Sequence, residues 1–184
     1  GTVSKDYANI LAKTTAANMV YGGSLRPQTF GALRNTVSYK QYSVSASMAY
    51  RLAFVFRRAT VNYGNSQGLS SNNADYALRW QKPGDEAATS VPSVPVAANN
   101  NRDILDRFSE ITVEKGDHVR LQDIRFTYSP SSRWVRSAFS SLQCYLYLNN
   151  VGMIWKATKA DIDPLYLSGA QTFTMSLGFQ ATIK

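Results

Sequence analysis

The sequence is poor in the residues that build catalytic and metal sites. Cys144 is its only cysteine and His118 its only histidine among 184 residues. One cysteine excludes an internal disulfide, a zinc finger and a two-cysteine metal site. A Ser-His-Asp or Cys-His catalytic site would have to use His118. That residue follows Asp117 at the start of an apolar alternating segment, where an interfacial polar role explains it better. We therefore expect no enzyme and no cofactor.

Acidic residues are also few, and their spacing does not match a metal site. Asp161 and Asp163 stand two positions apart, as ligands in a calcium loop do. No glycine and glutamate follow them at the spacing that such a loop requires, so no metal is expected. Asp85 and Glu86 could pair for acid-base chemistry, but a solvated loop is the simpler interpretation.

Long apolar runs are missing. No stretch approaches the roughly 18 consecutive apolar residues of a transmembrane helix, and the mean hydropathy is -0.26. Membrane strands remain possible, because alternating apolar and polar residues average out in a hydropathy window. The chain opens without a signal peptide, at Gly-Thr-Val-Ser. For an exported protein, we expect that a leader was removed or that the sequence starts inside a longer polypeptide.

The low acid content leaves a net charge of +8, from 20 basic and 12 acidic residues. Residues 57–117 hold 7 basic and 8 acidic residues, for a net charge of -1. The remaining chain therefore carries 13 basic and 4 acidic residues, a net charge of +9. The positive charge lies around the strand-like segments. It forms no Lys/Arg run and no nucleic-acid motif, so no nucleic-acid partner is expected.

Alternation of apolar and polar residues is the main structural signal. It predicts strands at 30–39, 42–56, 119–128, 139–148 and 171–184. In the third segment the phase slips at Gln122-Asp123, which indicates a β-bulge. The segments are long: a tilted membrane-spanning strand needs about 9–11 residues, whereas strands of soluble domains usually have about 5–6.

Short and long connections alternate along the chain. Lys40-Gln41 predicts a tight hairpin, and 129–136 is a short connection, whereas 57–117 and 149–170 are long. Outer-membrane barrels combine short periplasmic turns with long extracellular loops. We therefore expect an all-β fold of antiparallel transmembrane β-barrel strands, a partial barrel with both long loops outside. Aromatic residues at the two strand ends fit interfacial girdles as well as ordinary core packing (Tyr39, Tyr42, Tyr128 and Trp134; Phe54, Phe56 and Trp155).

The alternation assigns a direction to individual side chains. The residues expected to face lipid are Met48, Leu52, Leu146, Leu177 and Phe179. The residues expected to face the lumen, on the plug or ligand side, are Arg34, Arg51, Arg120, Arg125, Gln143, Tyr145 and Tyr147. Arginines in a confined space need partners or water. Asp123 is the only plausible acid on that face, so we expect an acidic partner or a water-filled pore.

Several stretches resemble one known family in its own order. They are Tyr21-Gly22-Gly23, 35–40 (NTVSYK) with 42–44 (YSV), Arg79-Trp80 before 83–85 (PGD), Asp106-Arg107-Phe108, 118–124 (HVRLQDI), Leu148-Asn149-Asn150, 161–164 (DIDP) and 171–178 (QTFTMSLG). Each is weak, but the ordered set resembles the C-terminal barrel of the SusC/RagA-type TonB-dependent transporters of the bacterial outer membrane.

That resemblance implies a plugged barrel of about 22 strands, of which 1–184 would be the C-terminal part. It implies import of glycans or peptides, energy from TonB acting through the plug, and a SusD-like lipoprotein as an outer lid. The partners would be the remaining barrel strands and plug, in the same or a separate polypeptide, and the lipid bilayer.

Two alternatives to an importer remain open at this point. The chain could be a structural subunit of an outer-membrane assembly that uses the same fold without transport. It could also be a soluble β-sandwich module that binds carbohydrate by stacking sugars on Trp80, Trp134 and Trp155. The sequence names no substrate and leaves open whether the chain is a fragment, a split subunit or a processed product.

Overall fold

The computed structural model describes residues 4–63, 74–166, 169 and 171–183, with only the backbone described at Ala74, Trp134 and Arg136. The chain forms two compact units. One comprises 1–23 and 55–114, and the other comprises 24–54 and 115–184.

The second unit is an antiparallel five-stranded sheet in the order β1-β2-β5-β6-β7. Its strands are β1 (Thr29–Tyr39), β2 (Tyr42–Leu52), β5 (His118–Tyr128), β6 (Phe139–Lys156) and β7 (Thr174–Ile183). The short helix α3 (Arg133–Ala138) precedes β6. The all-β prediction agrees with this architecture. The sheet is open: in the described part of the chain, β1 and β7 each pair with one neighbour only.

The predicted hairpin and bulge are both confirmed. Tyr39 pairs with Tyr42, and Lys40 has a φ of 53°, the left-handed conformation that two-residue hairpins need. On β5, Asp123 pairs with Ser47 while Leu121 pairs with Met48, so Gln122 is the extra residue. The bulge returns Asp123 to the sheet face that carries Arg120, although three positions separate these residues.

Three predicted strand boundaries need correction. The second strand was expected to run to residue 56, but it ends at Leu52. Ala53 has a φ of 59° and turns the chain. The segment that follows is β3 (Val55–Arg57), which pairs with β4 (Val113–Lys115) in a separate two-stranded sheet. The apolar alternation continues across this turn, which is why the sequence concealed it.

The fourth strand was expected to end at residue 148, with a loop over 149–170. Instead β6 continues to Lys156, and the connection begins at 157. Asn150 and Gly152 have φ values of 55° and 147°. The register jumps there, from Asn149 opposite Asp123 to Gly152 opposite Leu121. This second bulge interrupts the alternation without ending the pairing. The last strand is shorter than predicted and covers Thr174–Ile183; residue 184 lies outside the described residues.

The two faces of the sheet differ sharply in polarity. One face carries a continuous set of exposed apolar side chains: Leu33, Val37, Tyr39, Tyr42, Val44, Tyr50, Phe126, Tyr128, Met175, Leu177, Phe179 and Ile183. Leu177 is the most exposed of them, at 83%. Large contiguous apolar patches are unusual on monomeric soluble proteins and indicate a contact surface. The opposite face carries serines, arginines and amides, together with the rings of Phe30, Tyr145 and Tyr147.

The first unit contains the helices α1 (Tyr7–Ala12) and α2 (Asn100–Phe108), and the β3–β4 pair. Short 3₁₀ helices cover Ala16–Asn18, Ala74–Leu78, Asp85–Ala87 and Glu110–Thr112. Its buried cluster is Val61, Tyr63 and Val91. Within the described ranges, no helix is both long and apolar enough to cross a membrane.

Gly116 gives a stability prediction for the sheet unit. A Cβ atom at this position would lie 2.3 Å from the Phe54 ring, and that ring is buried. We expect Gly116→Ala to lower the free energy of unfolding by about 1–3 kcal/mol, because the buried ring must shift. Urea unfolding followed by tryptophan fluorescence measures the effect. Gly169→Ala is the control, since a Cβ there meets no atom within 4 Å. Equal losses in both variants would contradict the packing described here.

Candidate functional site

The polar face of the sheet gathers the side chains that carry charge. Strand register aligns Arg34, Ser47 and Asp123 in one row, Arg125 with Tyr147 in the next, and Arg51 with His118 at the far end. The seven residues predicted to face a lumen share this face: Arg34, Arg51, Arg120, Arg125, Gln143, Tyr145 and Tyr147. The five residues predicted to face lipid lie on the opposite face: Met48, Leu52, Leu146, Leu177 and Phe179.

Asp123 on β5 is held by a serine of β2 and an arginine of β1. The Ser47 hydroxyl donates to Asp123 Oδ1 at 3.2 Å and accepts from Arg34 Nε at 2.7 Å. Arg34 Nη2 also lies 3.5 Å from Asp123 Oδ1. Asp123 and Ser47 are buried, so the bulge that turns this carboxylate inward also gives it its hydrogen bonds. The acid singled out from the sequence therefore pairs with one arginine of the polar face.

Arg120 is the most enclosed arginine of this face, at 7% exposure. Its guanidinium forms an ion pair with Asp163, and its Nη1 donates to Gln171 Oε1 at 3.3 Å. The Tyr166 ring centroid lies 5.7 Å from its Cζ. Among the described residues, Arg120 Nε has no acceptor. The sequence analysis considered Asp163 only for its calcium-like spacing from Asp161 and expected no metal there. Nothing in the local pattern could reveal a partner 43 residues away.

The connection between β6 and β7 folds back over the polar face. Lys156 Nζ donates to the carbonyl oxygens of Ala160, at 2.7 Å, and Ile162, at 3.3 Å. Asp163 Oδ1 accepts from the backbone N–H of Leu165 at 3.0 Å, and the Gln171 amide donates to the Tyr166 hydroxyl. These bonds shape the connection so that Asp163, Tyr166 and Gln171 all meet Arg120.

Beneath this connection lies a pocket of about 280 Å³. Its walls combine sheet residues with residues of the connection: Ala49, Arg51, His118, Arg120, Gln122, Asp123, Asn149, Asn150, Leu165, Tyr166 and Gln171. His118 is 2% exposed. Its Nδ1 lies 2.7 Å from the Gly116 carbonyl oxygen. A carbonyl can only accept, so Nδ1 carries a proton in this contact.

Two further arginines of the polar face have no carboxylate partner in the part of the chain that the structure describes. The Arg125 guanidinium lies over the Tyr145 ring, 4.5 Å from its centroid, and its Nε is buried without an acceptor. Arg51 lines the pocket and forms no ion pair within the described residues. The polar face therefore presents more positive charge than its own acids neutralise.

The first unit is held by its own ion pairs. Arg58 pairs with Asp75 and lies 3.8 Å from Glu114, and Arg102 pairs with Asp103 at 3.1 Å.

Burial raises the pKa of Asp106, against the hydrogen bond from Thr60, which lowers it. Burial also raises the pKa of Tyr63. Because the folded pKa of Asp106 exceeds its unfolded value, its contribution to stability is present in acid and is lost as the pH rises through the raised pKa.

The described residues form no cluster of three or more His, Cys, Asp or Glu side chains that could hold a metal. Asp161 instead lies 3.7 Å from Lys156 Nζ.

Of the tryptophans considered for sugar stacking, Trp80 belongs to the first unit and Trp155 to the sheet unit. The Trp80 indole donates to the Thr89 carbonyl at 2.6 Å. The Trp134 side chain lies outside the described residues.

Comparison with solved structures identifies proteins that share the fold. The chain is similar to a solved structure described as the RagAB peptide importer in the open-open state, with a TM-score of 0.61 and 18% sequence identity. A structure of the RagAB peptide transporter gives 0.60 and 18%, and the importer in the closed-closed state gives 0.57 and 20%. The matches cover 86–88% of this chain but 18% of those chains. No family model matches the chain, and no curated protein matches it.

Proposed function

We propose that this chain forms part of the wall of a transmembrane β-barrel in a bacterial outer membrane. The observation that carries the proposal is the contrast between the two sheet faces. Exposed apolar side chains of β1, β2, β5 and β7 share one face with the half-buried Leu146 of β6, while the arginine-rich face opposite holds internal ion pairs. Strands of a transmembrane barrel present apolar side chains to lipid and polar side chains to the lumen.

Strand length and open edges support the same role. Each strand of the sheet has at least 10 residues, and a tilted strand needs about 9–11 to span the bilayer. Unpaired backbone groups cannot remain in lipid, so β1 and β7 need strands from elsewhere in the assembly. In a barrel of about 22 strands, this sheet would supply five.

The proteins of similar fold are described as peptide importers, and on this basis we assign the chain to an import system. The substrates would be peptides or glycans. A SusD-like lipoprotein would close the outer mouth, and TonB would act through a plug in the lumen. The chain would perform no chemistry of its own. Its lipid-facing residues would be Met48, Leu52, Leu146, Leu177 and Phe179, and its arginines would face the plug or ligand.

The proposed topology would put 57–117 and the β6–β7 connection on the cell surface. Val96 lies in the first of these segments and is fully exposed. In a Cys144→Ser background, Val96→Cys should react with a maleimide-polyethylene glycol reagent on whole cells. Gln41→Cys, at the opposite end of the strands, should react only after the outer membrane is opened. The reverse pattern would show that the topology is inverted, and reaction at both sites on intact cells would contradict a membrane-spanning sheet.

A further inference from the structure

The pocket under the β6–β7 connection has features of a binding site. Its volume of about 280 Å³ is near the lower end of ligand pockets, which span roughly 300–1,000 Å³, so it suits a small group. Tyr166 and Leu165 close it on one side, and β2, β5 and β6 provide the floor. The sheet unit contains every residue of its walls.

The charges around the pocket leave one arginine uncompensated. Asp123 is neutralised by Arg34, and Asp163 by Arg120. Arg51 has no acidic partner in the described chain, so three arginines stand against two aspartates. Arg51 therefore gives the pocket wall a positive charge that no acid of the described chain offsets.

We propose that this pocket binds a carboxylate, held by the guanidinium of Arg51. A carboxylate is planar, carries one charge and accepts from two donors, which matches arginine geometry. A phosphate dianion would bring a second charge close to Asp123 and Asp163, and the local balance offers nothing to neutralise it. Amides of Asn149, Gln122 and Gln171 line the same space and can donate to the second oxygen.

The carboxylate can come from a free small acid or from an acidic side chain of the surrounding assembly. The probe is succinate, added to the intact detergent-solubilised assembly after exhaustive dialysis, with neutral succinamide as its control. For a free acid, we expect succinate to raise the midpoint of thermal unfolding, because a ligand that binds only the folded state stabilises it. Succinamide should not do so. Arg51→Gln should weaken succinate binding about tenfold or more, and Arg51→Lys should retain part of it.

For an acidic side chain of the assembly, succinate should have no effect, and Arg51→Gln alone should lower the unfolding midpoint. Arg26→Gln, an exposed position outside the pocket, is the matched control.

A density map of the wild-type assembly distinguishes a free acid from an acidic side chain and does not depend on a variant folding. A carboxylate on the Arg51 guanidinium supports the site. Water or an apolar side chain in that place overturns it, as does an equal response to succinamide. Since the readout is a bound carboxylate, either result leaves the proposed barrel role to be tested separately.

Discussion

Leu177→Arg is expected to remove most of the assembled protein from the outer membrane. Leu177 pairs with Leu146 across the β6–β7 ladder and is 83% exposed. If its face meets lipid, an arginine near the bilayer midplane costs about 2–4 kcal/mol. That cost is a large fraction of the free energy of unfolding of a typical domain. We therefore expect little of this variant to assemble. The amount of folded protein in isolated outer membranes measures the effect.

Ser176→Arg is the matched control for Leu177→Arg. Ser176 is the adjacent residue of the same strand and pairs with Tyr147 on the polar face. An arginine there joins a face that already carries several, in contact with water or a partner protein. We expect near-normal assembly from this variant. Equal amounts of folded protein from both variants would contradict the assignment of the apolar face to lipid.

Asp163→Ala is expected to release the β6–β7 connection from the sheet. Asp163 neutralises Arg120, and the two side chains are 13% and 8% exposed. Removing one member of a buried ion pair leaves the other charge uncompensated and costs about 3–5 kcal/mol. The connection contains the exposed residue Lys159. Tryptic cleavage after Lys159 should therefore become much faster in this variant.

Asp161→Ala tests whether the effect belongs to the buried pair. Asp161 lies in the same connection but is fully exposed and 3.7 Å from Lys156 Nζ. Exposed ion pairs contribute little to stability because solvent screens them, so cleavage should remain close to the wild-type rate. If both variants were cleaved equally fast, Asp163 would not be what holds the connection to the sheet.

Alternation in the sequence was sufficient to predict most of the sheet. A side chain two positions along a strand returns to the same face, so the apolar and polar sets could be assigned without coordinates. The slip at Gln122-Asp123 was visible because apolar residues continue on both sides of it. The bulge near Asn150 was not visible, since Asn149 and Asn150 resemble the start of a loop. The turn at Ala53 was hidden for the opposite reason, because Phe54 and Phe56 extend the apolar phase.

Contacts between distant segments could not be predicted in the same way. Asp163 meets Arg120 only because the β6–β7 connection folds back over the sheet. The local spacing of Asp161 and Asp163 resembles part of a calcium loop but gave no indication of an arginine partner. The pocket depends on this tertiary contact together with two bulges. A count of charges on the polar face showed that the arginines needed partners, and it identified Asp123 but not Asp163.

A density map of the native assembly in lipid nanodiscs tests the barrel role most directly. We expect further strands hydrogen-bonded to the outer edges of β1 and β7, so that the sheet continues into a closed wall. The band containing Val44, Phe126, Leu146 and Leu177 should lie level with the lipid tails, and the arginines should face inward. A sheet whose edges stay unpaired, or whose apolar face is covered by protein instead of lipid, would contradict the proposed function.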